Sequence, residues 1–151
     1  MGKVAALLAR MRGQRVYIDA NYMIYFFDKR APQFDIVAPI FVACDAGEFF
    51  GFTADAAVAE VMVHPYRSMS AAEIARGKAF FAREDFINVL RHDASAFDTA
   101  AQLRATSNMK MLDALHYANA LQSGCRFLLT NDGDFKTSGQ LEVVSVRSLT
   151  G

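Results

Sequence analysis

Arg15-Val16-Tyr17-Ile18-Asp19 is a β-branched and aromatic run that stops on a carboxylate, and its reading decides the fold. An apolar run of this length without polar alternation predicts a strand covered on both faces. Similar runs recur at Phe49–Phe52 (FFGF), Phe86–Leu90, Phe127–Thr130 (FLLT) and Leu141–Val146. Between them the pattern predicts helices. Ala20–Asp28 is broken near Ala31-Pro32, and Asp35–Gly47 is ended by its glycine. Ala54–Val63 takes Thr53 as its N-cap and stops at His64-Pro65. Ser70 opens a helix to about Arg83, and its spacing to Glu73 fits a capping box. Ala94–Ser107 follows, then Lys110–Gln122, closed by Gly124. Apolar strands alternating with helices predict a three-layer α/β fold: a mostly parallel sheet of four to five strands flanked by helices.

The 151 residues suit one domain, 15–151, preceded by an N-terminal helical extension over 1–14. In that extension Val4, Leu7, Leu8 and Met11 share one helix face. Its apolar stretch is too short for a membrane span and has no small-residue cleavage site. Cys44 and Cys125 lie far apart without metal-ligand spacing, as expected of reduced, buried thiols in a cytoplasmic protein. Sixteen basic residues balance sixteen acidic ones. A protein gripping nucleic acid by charge alone is basic overall. A phosphate-bearing substrate would therefore be met by local patches or bound cations. Lys3, Arg10, Arg12 and Arg15 form one such patch, which reads equally as a solvated helix face.

Candidate chemistry rests on carboxylates. In an open parallel sheet, ligands bind beyond the carboxyl ends of the strands. Asp19 follows its strand directly and Asp132 stands two residues beyond Thr130. An Asp between strand and helix also serves as an N-cap, and either reading accounts for each residue alone. Glu60 lies in the otherwise apolar stretch Ala56–Val63, and Asp113 in Met111–Leu115. Carboxylates are rarely buried unless paired or metal-bound, although helix geometry can also carry such an acid to the surface. Together the four acids suit phosphodiester hydrolysis assisted by Mg²⁺ or Mn²⁺, hard cations that prefer oxygen ligands and activate water.

Four fragments resemble those of PIN-domain nucleases, in particular VapC-type toxin ribonucleases. They are Tyr17-Ile18-Asp19-Ala20-Asn21, Ala59-Glu60-Val61, Lys110-Met111-Leu112-Asp113-Ala114-Leu115-His116 and Leu129-Thr130-Asn131-Asp132-Gly133-Asp134-Phe135. The resemblance implies a metal-dependent endoribonuclease, the toxin of a toxin–antitoxin pair. It would cut RNA with one or two Mg²⁺ or Mn²⁺ ions held by Asp19, Glu60, Asp113 and Asp132, with Asp134 joining directly or through water. It also implies that Asn21 and Thr130 hold the first carboxylates in place. The expected partners are RNA, a small antitoxin protein and a second copy of the chain. The alternatives are a PIN nuclease in RNA processing or on structured DNA without an antitoxin, and a non-catalytic binding module.

Other constellations fail on spacing. As a calcium loop starting at Asp132, the chain has Thr137 where glycine is needed and Val143 where glutamate is needed. Asn21 stands where a phosphatase nucleophile site needs a second acid. His116, one helical turn after Asp113, reads as a residue packed beside the site, as a ligand or as a proton carrier.

Overall fold

The computed structural model describes residues 2–131 and 139–150. Among them, five strands form one sheet, β1 (Arg15–Ile18), β2 (Phe50–Ala54), β3 (Ile87–Leu90), β4 (Phe127–Leu129) and β5 (Glu142–Val144), in the order β3-β2-β1-β4-β5. Every pairing is parallel. The helices are α1 (Lys3–Met11), α2 (Ala20–Asp28), α3 (Gln33–Asp45), α4 (Asp55–Ser68), α5 (Ala71–Ala82), α6 (Ala94–Ala105) and α7 (Met111–Gln122). The expected three-layer α/β architecture is thus present, with the sheet wholly parallel.

Alternation along the central strand divides the layers. Val16 and Ile18 join the core that also holds Leu7, Met23, Ile40 and Val61, from α1 to α4. Tyr17 points to the opposite side, with Leu128 and with Tyr117 of α7. Behind it α6 meets α7 through Ala96, Ala100, Ala114 and Ala118, small side chains that let the helices approach closely. On α1, Leu7 and Met11 are buried and Val4 and Leu8 partly so, as the amphipathic face predicts.

Boundaries shift where side chains find better partners. Thr53 is not a helix cap: it belongs to β2, and its hydroxyl donates to the Ile18 carbonyl at 2.8 Å. α4 does not stop at His64-Pro65 but runs to Ser68 with Pro65 inside. Proline removes one backbone donor near an exposed end, and packing against α2 and α5 through Val61 and Met62 carries the helix past it. Asp45 ends α3, and Gly47 supplies the left-handed turn (φ +77°) that leads into β2. At α5 half of the capping box forms. Ser70 Oγ accepts from Glu73 N, while the Glu73 carboxylate turns to Ser68 Oγ.

The topology fixes where a ligand can sit. From β1 the chain builds outward to β2 and β3, then returns to lay β4 on the other side of β1. The order reverses between β1 and β4, and crevices open at such switch points. Asp19 ends β1 there and Thr130 ends β4. The Asp19 N–H donates to the Leu129 carbonyl, continuing the ladder into the crevice.

Candidate active site

Asp19 is 6% exposed and fully engaged. One oxygen accepts from Ala20 N at 2.7 Å, capping α2, and the other accepts from the buried Thr130 hydroxyl at 2.8 Å. The cap and site readings of Asp19 are therefore compatible. Each carboxylate oxygen has a second lone pair, so these bonds leave acceptor capacity facing the crevice. Asn21 ties the two strand ends together: its amide nitrogen lies 3.5 Å from Thr130 Oγ1, and its oxygen accepts from Asn131 N at 3.1 Å.

Glu60 approaches from α4. Its side chain is 42% exposed, so the apolar neighbours in sequence do not bury it: Ala59 and Val63 on the same helix also face solvent. Its Oε1 lies 3.7 Å from His116 Nε2, and Asp19 Oδ1 lies 3.7 Å from the same nitrogen. Asp113 is half-buried in the first turn of α7, three residues before His116. Asp132 and Asp134 lie outside the described residues. Among the described residues, no group of three or more His, Cys, Asp and Glu side chains has the spacing to hold a metal. What the structure brings together is Asp19, Glu60 and His116.

His116 is the least expected member, 1% exposed, with Nε2 buried and without a hydrogen-bond partner among the described residues. Its Nδ1 meets the Tyr17 hydroxyl at 2.7 Å. Burial, and then the Asp19 charge, push the Tyr17 hydroxyl well above its ordinary range, so it stays protonated. His92, in the loop before α6, packs edge-on against His116 with ring centroids 5.7 Å apart. Its own nitrogens are taken by Asn119 Oδ1 at 2.9 Å and Ala56 N at 3.4 Å. Sequence reasoning passed over Tyr17. The signal was present, because period-two alternation sends it to the α7 side and a buried tyrosine hydroxyl needs a partner.

Beside Glu60 opens a cleft of about 490 Å³ lined by Phe27, Arg30, His64, Glu73 and Arg76 among others. The N-terminal cations, by contrast, are engaged within the chain. Lys3 donates to the Thr150 carbonyl, Arg10 pairs with Glu142, Arg12 with Glu48, and Arg15 donates to the Ser123 carbonyl.

Among the described residues Asp19 and Glu60 offer carboxylate oxygens, the donor type a hard divalent cation prefers, on either side of the unpartnered His116 Nε2. No helix among the described residues is long and apolar enough to cross a membrane.

Solved structures with the same fold include a toxin and toxin–antitoxin complexes. VapC20 of Mycobacterium tuberculosis, a sarcin–ricin loop cleaving toxin, superposes with a TM-score of 0.67 at 15% identity, covering 85% of this chain and 98% of that one. A toxin–antitoxin complex from Klebsiella pneumoniae gives 0.65 at 19% identity, with 83% and 94% covered. VapBC2 from Rickettsia felis, bound to a fragment of its promoter DNA, gives 0.66 at 14%, with 87% and 98% covered. No curated protein sequence matches this chain. The PIN domain profile matches residues 16–139, a span that contains Asp19, Glu60, Asp113 and His116, strands β2 to β4 and all of β1 but Arg15, so the chain belongs to the PIN domain family.

Proposed function

We propose that this protein is a metal-dependent endoribonuclease, the toxin of a toxin–antitoxin pair, with RNA as substrate. One observation carries the reading: the Asp19 and Glu60 carboxylates meet around a buried imidazole at the switch point of the sheet. Asp19, Glu60, Asp113 and Asp132 would hold one or two Mg²⁺ or Mn²⁺ ions, with Asp134 as a further oxygen donor. Bound there, the ion supplies Lewis-acid polarisation of the phosphate and a water of lowered pKa.

The chain's own residues do the rest. Thr130 and the Ala20 N–H fix both oxygens of Asp19, so the carboxylate needs no reordering when substrate arrives. Asn21 keeps the ends of β1 and β4 together. The cleft beside Glu60 carries Arg30 and Arg76, which offer positive charge to RNA phosphates on a chain of zero net charge. The antitoxin would cover this cleft, and the free toxin would be a cytoplasmic homodimer. That three solved relatives are VapC-type or toxin–antitoxin structures supports this part of the reading.

Cleavage of total RNA with Mg²⁺ or Mn²⁺, compared with chelator, tests the activity. Asp19→Asn keeps the shape and removes the charge. It should slow cleavage about a thousandfold, matching the several kcal/mol that a metal-borne charge contributes. Undiminished cleavage by folded Asp19→Asn protein would remove the basis of the proposal.

A further inference from the structure

Tyr17, His116 and the two carboxylates form a line across the site whose hydrogen positions can be deduced. Tyr17 is fully buried, and among the described residues the one partner of its hydroxyl is His116 Nδ1. Were Nδ1 the donor, both the Tyr17 proton and the Nε2 lone pair would be unmet, whereas a donating hydroxyl leaves only the Nε2 hydrogen unmet, beside two carboxylates. Tyr17 therefore donates and Nδ1 accepts. In a neutral imidazole the hydrogen then sits on the other nitrogen. His92 cannot alter this, since both its nitrogens are engaged by Asn119 and Ala56.

Nε2 is thus an N–H, wholly buried and unpartnered among the described residues, 3.7 Å from both Asp19 Oδ1 and Glu60 Oε1. Those distances exceed hydrogen-bond reach, so the donor waits between the two acids without engaging either. A nitrogen that carries hydrogen has no lone pair to give a metal. Rotating the tautomer would expose that lone pair at a site where imidazole ligation favours zinc, nickel and copper over magnesium and manganese.

We infer that Tyr17 locks the His116 tautomer, bars the imidazole from coordination and so keeps the site an all-oxygen one, selective for hard divalent cations. The inference rests on the reading of Asp19 and Glu60 as metal-binding groups. Tyr17 and His116 are positioning residues in this scheme, and neither touches substrate.

Long-range ¹H–¹⁵N correlation on the metal-free protein at mildly alkaline pH reads the tautomer directly and requires no variant. His116 should show the Nε2–H form. Tyr17→Phe, which keeps the ring that fills the core, should lose that preference. Calorimetric titrations with Mn²⁺ and Zn²⁺ then compare the two proteins. The Zn²⁺-to-Mn²⁺ affinity ratio should rise about tenfold in Tyr17→Phe, the worth of the one hydrogen bond that holds the tautomer. An Nδ1–H or doubly protonated His116 in the wild type, or an unchanged ratio in Tyr17→Phe, overturns the lock. Wild-type protein with the Nε2–H tautomer but no Mn²⁺ binding overturns the metal reading of the acids, and with it the selectivity claimed here.

Discussion

At Asp19 one carboxylate caps α2 and also receives the Thr130 hydroxyl, at 2.7 and 2.8 Å. Removing either donor leaves buried charge with less compensation, and buried charge is costly. Thr130→Val should therefore destabilise the protein by about 1–3 kcal/mol, the penalty for an unmet buried acceptor. Chemical denaturation measures it, and Mn²⁺ affinity should fall in the same variant. At this scale the sequence was informative where chemistry meets chain position. Asp19 and Thr130 stand at strand ends, which a linear pattern reveals. It was less informative where burial depends on helix rotation. Glu60 sits among apolar neighbours in sequence, yet its side chain is 42% exposed, because α4 turns that position outward. His116 kept its alternatives open in sequence, since the Tyr17 hydroxyl that decides its tautomer lies 99 residues away.

Among the elements, β2 shows how tightly the sheet is packed against its helices. A Cβ at Gly51 would stand 2.7 Å from Cys44 Sγ on α3 and 3.3 Å from Ile87 Cγ1 on β3. Neither neighbour has a long flexible end that could swing away. Gly51→Ala should cost about 1–3 kcal/mol by overpacking, visible as a lower urea midpoint at unchanged slope. The elements themselves were legible: continuous apolar runs gave the strands, and 3.6-residue periodicity gave the helices. Their ends were less so. Thr53 looks like a cap in sequence but spends its hydroxyl on the Ile18 carbonyl, and Pro65 looks like a stop but lies within α4. Tertiary partners decided both, and these are invisible to local pattern.

For the whole molecule, buried ionisable groups set the alkaline limit of stability. Burial raises Cys44 from the ordinary 9.0 to about 11 and Cys125 to about 12, and it raises Tyr17 and Tyr22 as well. The unfolded chain releases these thiol protons first. Their contribution is therefore intact below about pH 9 and is lost as pH climbs through about 11 and 12. Thermal midpoints followed by circular dichroism should fall across that window, and less steeply in the Cys44→Ala, Cys125→Ala double variant. Charge balance was readable from composition, but its distribution was not. The N-terminal basic residues pair within the chain, whereas Arg30 and Arg76 line the cleft. The strand order has a consequence for synthesis. Thr130 and β4, which lie beside Asp19, are made more than a hundred residues after it. The crevice has no second wall until Phe127–Leu129 docks on β1. Such distant pairing forms late, so the crevice on which the proposed nuclease activity depends is assembled only after β4 has been made.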